Sequence, residues 1–94
     1  MALYLISDDI NEKDAFEYDN LWSHLKEIGA VRILYSEWVV TGQKGEAATL
    51  YSDIAPLTQD KDRLLVQEIT SDAAWDKLLI TDEKWDALLG RARM

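Results

Sequence analysis

The 94-residue sequence contains no cysteine, a single histidine and a single proline, and it has no long apolar run. Without cysteine the chain can form no disulfide, no thiolate zinc site and no thiol nucleophile, and we expect a cytoplasmic protein. The apolar runs are much shorter than a bilayer span, and no basic segment precedes the first of them, so we expect neither a targeting signal nor a membrane partner. His24 has no partner histidine, which argues against a general-base role.

Basic residues are also scarce. The chain has 10 Lys and Arg against 18 Asp and Glu, a formal net charge of −8. The net negative charge is concentrated in residues 1–30, which carry seven acids against Lys13 and Lys26. Such a field repels phosphate backbones, so nucleic-acid binding would need a divalent cation, a local basic patch or a basic partner protein.

What the chain does have is the composition of one folded domain, with 48% hydrophobic residues and 10% aromatic residues. Hydrophobic periodicity predicts a strand at 2–9 and a helix at 14–28 that stops at Gly29. The β-branched run 31–41 is either one long bent strand or two short strands that reverse near Tyr35 and Ser36. The remaining elements are a helix at 46–55 ended by Pro56, a strand at 63–69, and a helical tail from Ser71.

This order of elements predicts an α+β fold, namely a ferredoxin-like βαββαβ sheet with both helices on one face. We expect this domain to occupy residues 1–70 and the C-terminal helical extension to occupy 71–94. The extension repeats a Trp-Asp pattern at Trp75 and Trp85, which predicts two short helices, the first capped at Ser71 or Asp72 and the second at Thr81. The second sheet face, with Leu3 and Leu5, would be an exposed apolar patch, so we expect either a homodimer or a covering tail.

Asp8 and Asp9 end the first strand and are the best candidates for chemistry. A carboxylate at the end of a buried strand is held rigidly and offers the oxygen ligands that Mg²⁺ and Mn²⁺ prefer. Acidic residues also end strands simply as solvated turn formers, so the pair alone does not establish a metal site. Alternation places Asp8 on the side of Tyr4 and Ile6, where burial would raise its pKa unless it reaches water at the tip.

Four segments carry a resemblance to a known family: 2–10 (ALYLISDDI), 25–30 (LKEIGA), 31–38 (VRILYSEW) and 62–66 (DRLLV). Together they resemble CRISPR-associated protein family two ("Cas-two"), particularly its stand-alone SinR-like relatives, and toxin-like ribonucleases of the virulence-associated protein D type share the fold. The resemblance implies a ferredoxin-like homodimer in which Asp9 approaches its symmetry mate and holds Mg²⁺. It also implies either a metal-dependent endonuclease on RNA or DNA or a non-catalytic adaptor that bridges protein subunits and binds DNA.

Two functions therefore remain open. One is a Mg²⁺- or Mn²⁺-dependent endonuclease with Asp9 as catalytic residue and Asp8 and Asp9 as metal ligands. The other is a non-catalytic dimeric module whose acidic surface binds a basic protein partner, which the acidic segment 11–17 favours, since the family has basic residues there. Ser36 matches a family serine that supports the metal site or binds a phosphate, or else it is a turn hydroxyl that satisfies the backbone. Trp38 and Tyr35 either stack on bases or pack in the core or dimer interface.

Overall fold

The computed structural model describes residues 1–9, 18–59, 61–69 and 72–92, and these form an α+β fold. The predicted 31–41 run is two strands separated by a turn at Tyr35 and Ser36, which settles that alternative. Residues 14–17 of the first predicted helix lie outside the described residues. The elements are β1 (Ala2–Asp9), α1 (Asp19–Glu27), β2 (Val31–Leu34), β3 (Glu37–Gly42), α2 (Ala47–Ile54), a 3₁₀ turn (Ala55–Leu57), β4 (Arg63–Ile69) and α3 (Asp82–Ala92).

The four strands form one antiparallel sheet in the order β2-β3-β1-β4. β1 and β3 are interior strands, and β2 and β4 are the edges. β1 is apolar on both faces because both faces are covered, which is why it reads as a continuous hydrophobic run. Its residues alternate between two cores, with Tyr4 and Ile6 in one and Leu3 in the other.

The first core lies between the sheet and the helices α1 and α2. It contains Leu21 and Leu25 of α1 and Ile54 of α2, all of which are buried against β1. α1 ends as predicted at Gly29, whose φ of 86° is the left-handed conformation that glycine adopts without strain. The Ala30 N–H then donates to the Leu25 carbonyl at 2.9 Å, which closes the last turn of the helix.

The second core lies on the opposite face, where α3 covers the sheet. Trp85 and Leu89 of α3 are buried against Leu3, Ile33 and Val39. The tail therefore occupies the apolar face that the sequence left open. This face therefore gives no reason to expect a homodimer, because α3 of the same chain already covers it.

The predicted tail is correct in its second helix and wrong in its first. α3 begins after Thr81, whose Oγ1 accepts a hydrogen bond from the Lys84 N–H at 3.2 Å, as expected of an N-cap. Residues 72–81 are irregular rather than helical. The physical reason is a competing partner, since the Leu79 N–H donates to the Ile33 carbonyl of the edge strand β2 at 2.8 Å instead of to a helical turn.

Candidate functional site

The two aspartates at the end of β1 lie in different surroundings. Strand alternation directs Asp8 to the helix-covered face and Asp9 to the other face. Both line a shallow groove of about 190 Å³ beside β4, together with Ser7 and Arg63. Within the described ranges, no group of three or more His, Cys, Asp or Glu side chains is placed to hold a metal ion. Metal ligation by Asp8 and Asp9 thus stays a prediction.

Asp9 is exposed and already has a cationic neighbour. It faces Arg63 across the β1–β4 pairing, and the Arg63 Nη1 donates to the Asp9 Oδ2 at 3.0 Å. The side chains are 59% and 81% exposed, respectively. Such surface pairs contribute about 0–1 kcal/mol to stability, so Arg63 can leave at little cost. A divalent ion at Asp9 would nevertheless have to displace or repel this guanidinium.

Asp8 is half-buried, and its Oδ2 has no hydrogen-bond partner among the described residues. Burial raises the pKa of the Asp8 carboxyl from 3.8 to about 6. The positive charge of Arg32 acts in the opposite direction, while the negative charges of Asp62, Asp9 and Glu37 raise this pKa further. Asp8 is therefore a carboxyl that changes its charge near neutral pH.

Ser36 lies in the exposed turn between β2 and β3 and approaches the site through its backbone. Its carbonyl oxygen accepts a hydrogen bond from the Asp8 N–H at 2.9 Å. This bond extends the β1–β3 pairing and fixes the position of the Asp8 backbone. A role of the Ser36 hydroxyl toward a metal or a phosphate stays a prediction.

Above the second core lies a larger groove, hereafter the tail groove, which the sequence did not predict. It has a volume of about 400 Å³ and lies between the first part of the irregular segment, residues 72–78, and the sheet. Trp75 packs edge-to-face on Trp85 with ring centroids 5.8 Å apart, and the Trp75 indole N–H donates to Asp82 at 3.2 Å. The lining combines apolar side chains with three acids: Leu5, Ile33, Leu34, Glu37, Gln67, Glu68, Ile69, Asp72, Ala73, Ala74, Trp75, Leu78 and Trp85.

The repeated Trp-Asp pattern was the sequence signal for the tail groove. Because both repeats were interpreted as helices, the pattern did not lead to a prediction of the groove. In two consecutive helices, Trp75 would lie on a helix face rather than beside an open groove. The irregular path holds Trp75 37% exposed while Trp85 is buried. Trp85 also has an indole N–H without an acceptor among the described residues.

A second aromatic group lies on the helix-covered face, between α1 and β2–β3. Trp22 and Trp38 stack with ring centroids 5.9 Å apart and planes inclined by 15°. The Arg32 guanidinium carbon lies 4.9 Å from the Trp22 centroid and 5.0 Å from the Trp38 centroid. Trp38 is buried in the first core, as one of the two sequence alternatives had it, whereas Tyr35 is 82% exposed.

None of the helices in the described part of the chain is long and apolar enough to cross a membrane. No protein-family model matches the sequence, and no curated protein matches it either.

Proposed function

We propose that this chain is a non-catalytic protein-interaction module with a Cas-two-like, ferredoxin-like fold, and that its tail groove binds a basic segment of a partner protein. The ferredoxin-like assignment is supported by the strand order β2-β3-β1-β4 with antiparallel neighbours and by α1 and α2 packing on one face. A fold of this kind hosts many functions, so the function is argued from the groove.

The tail groove carries the proposal because of its charge. Its apolar floor suits one large aliphatic or aromatic side chain of a partner. Its described lining includes Glu37, Glu68 and Asp72 and no Lys or Arg. A partner that places an apolar side chain on the floor and Lys or Arg at the rim would match both properties, and the net charge of −8 would accelerate its approach.

The binding test uses a short peptide with a central leucine flanked by lysines, titrated into isotope-labelled protein. We expect the indole N–H signals of Trp75 and Trp85 to shift, and the binding to weaken as monovalent salt rises. Asp72→Asn, at an exposed residue of the groove lining, should weaken binding about twofold to fivefold, since one exposed ion pair contributes about 0.2–1 kcal/mol.

The matched control is Glu27→Gln, which removes the same charge from an exposed position at the end of α1, outside the groove. This variant should bind as the wild type does. The same peptide with glutamates in place of the lysines should not bind. Equal loss in both variants, or no shift at Trp75 and Trp85, would contradict the proposal.

The homodimer implied by the resemblance belongs to the same proposal, but it needs a surface other than the covered sheet face. β4 is the candidate, since it is the seven-residue edge of the sheet and carries Leu65 at 52% exposure. An exposed edge strand presents backbone donors and acceptors that a second copy can pair. Because Gln67, Glu68 and Ile69 of β4 also line the tail groove, a dimer formed there would border the groove on each copy.

A metal-dependent endonuclease is the second candidate, because Asp8 and Asp9 line one groove and the Asp8 Oδ2 has no partner in the described part of the chain. These carboxylates would hold Mg²⁺ or Mn²⁺, and the bound ion would activate water for attack on a phosphodiester. RNA and duplex DNA should be tested with wild type and Asp9→Asn purified identically. Loss of cleavage in a folded Asp9→Asn would support this candidate, and no cleavage by the wild type with Mn²⁺ would eliminate it.

A further inference from the structure

Trp22, Lys26, Arg32 and Trp38 line a cleft of about 200 Å³ on the helix-covered face. Trp22 and Lys26 are one helical turn apart on α1 and so project from the same side of the helix. Arg32 and Trp38 are directly paired neighbours on β2 and β3. The cleft is therefore built from two rigid elements, and this lining contains two cations and no carboxylate in a protein of net charge −8.

The position of Arg32 leaves hydrogen-bonding capacity unused. The two indole centroids are 5.9 Å apart, and the guanidinium carbon is about equally far from both, at 4.9 and 5.0 Å. The guanidinium thus lies over both rings and is not intercalated between them. Cation–π attraction holds it there without consuming its N–H donors, which lie in the guanidinium plane.

Two buried donors at the cleft have no acceptor among the described residues. They are the Arg32 Nε and the Trp38 Nε1, and Trp38 is 5% exposed. Buried donors are normally paired, and unpaired ones indicate strain, a bound water molecule or a ligand. Arg32 interacts electrostatically with the Asp8 carboxylate and lowers the pKa of Asp8. The two side chains nevertheless form no ion pair within the described ranges.

We propose that this cleft is a binding site for a small anion that carries an aromatic ring, of the chemical class of a nucleoside monophosphate. The phosphate oxygens would accept from Arg32 and from the Lys26 ammonium, as charge-assisted hydrogen bonds. The ring would stack on the part of the Trp22 indole that remains exposed, since Trp22 also contacts the Tyr18 ring at a centroid distance of 6.2 Å. This site is independent of the tail groove, because it lies on the other face of the sheet and has its own pair of tryptophans.

Adenosine monophosphate is the test ligand, titrated at low salt while the indole N–H signals of all four tryptophans are followed. We expect Trp22 and Trp38 to shift and Trp75 and Trp85 to stay in place. Adenosine and inorganic phosphate, which each supply one half of the recognition, should both bind at least tenfold more weakly. Phosphate binding as tightly as the nucleotide would overturn the aromatic part of the proposal.

Substitutions of the two cations of the cleft distinguish a loss of binding from a loss of folding. Lys26→Gln, at an exposed position, should weaken the affinity several-fold without changing the melting temperature. Lys44→Gln is the matched control, since it removes the same charge from the exposed turn after β3 and should leave the affinity unchanged. Arg32→Gln should reduce the affinity at least tenfold. Equal affinities for the Lys26 and Lys44 variants, or no shift at Trp22 and Trp38 at millimolar nucleotide, would overturn the proposal.

Discussion

At the scale of single residues, Asp8 and Asp9 show how two identical neighbours acquire different chemistry. Strand alternation was sufficient to predict that Asp8 would turn toward the helices, but it left open whether the carboxyl would reach water at the strand tip or carry a raised pKa. The Asp9–Arg63 ion pair could not be predicted, because it depends on the register between β1 and β4, two strands that are far apart in sequence. For the same reason the sequence did not show Arg32 beside Trp22 and Trp38.

Replacement of Asp8 by asparagine should stabilise the protein at pH 7. Because the carboxyl has a higher pKa in the folded state, folding favours the protonated form, and stability falls as the pH rises from about 4 to about 6. After allowance for the partial solvent exposure of the group, this loss is on the order of 1 kcal/mol. Asp8→Asn should lack this slope and have the higher unfolding free energy at pH 7.

Urea unfolding at a series of pH values measures this difference. Asp9→Asn is the control, since it removes the same charge from a well-solvated position and should retain the slope. If Asp8→Asn is instead the less stable variant at pH 7, the ionised carboxylate has a favourable partner, and a role in binding a cation becomes the better explanation.

At the scale of elements, the tail shows where local patterns fail. Both tryptophan repeats have helical spacing, yet α3 alone forms a helix there, because the segment before it forms a hydrogen bond with the edge of β2. Hydrophobic periodicity indicates which side chains become buried. It does not show that the edge of a sheet provides a hydrogen-bond acceptor that competes with the helical one for a backbone N–H. The helices and strands in 18–69 pack on one another, and their first and last residues lie within a few positions of those that the sequence patterns predict.

The contact of α3 with the sheet should contribute a large part of the stability. Leu89→Ala removes a side chain that is 1% exposed in the second core and should cost about 2–5 kcal/mol. Leu79→Ala makes the same chemical change at a residue that is 49% exposed, and it should cost less than about 1 kcal/mol. Similar unfolding free energies for the two variants would show that α3 does not pack on the sheet in solution.

Lys77 offers a second test of the irregular segment. Its φ of 55° lies in the left-handed region, which costs a residue with a Cβ about 1 kcal/mol relative to glycine. Lys77→Gly should therefore raise the melting temperature, while Lys84→Gly, within α3, should lower it because glycine is a poor helix former. A decrease for Lys77→Gly would mean that this segment does not hold the left-handed turn.

At the scale of the whole molecule, the α+β fold and the two-faced burial of β1 followed from the sequence, whereas the partner of the second face did not. An apolar face must be covered, but hydrophobicity is non-directional and does not distinguish a tail of the same chain from a second copy. α3 resolves the choice for that face in favour of the tail.

The proposed dimer across β4 is tested by light scattering. A single chain has a mass of 10.8 kDa, so a dimer should scatter with about twice that mass at micromolar concentration. Leu65→Lys, on the β4 edge, should shift the equilibrium toward the monomer, while Leu79→Lys, beside the β2 edge, should not. A monomer mass for the wild type would contradict the dimer and leave the binding module as a single copy.

The position of β1 also determines when the protein can fold during its synthesis. Of the described elements, β1 is synthesised first, yet its neighbours in the sheet are β3 and β4, and α3, which follows all four strands, completes the core around Leu3. The nascent β1 is consequently an apolar strand that must wait for nearly all of the described chain. Contacts so distant in sequence slow folding, so we expect the unfinished chain to depend on chaperones that shield such strands.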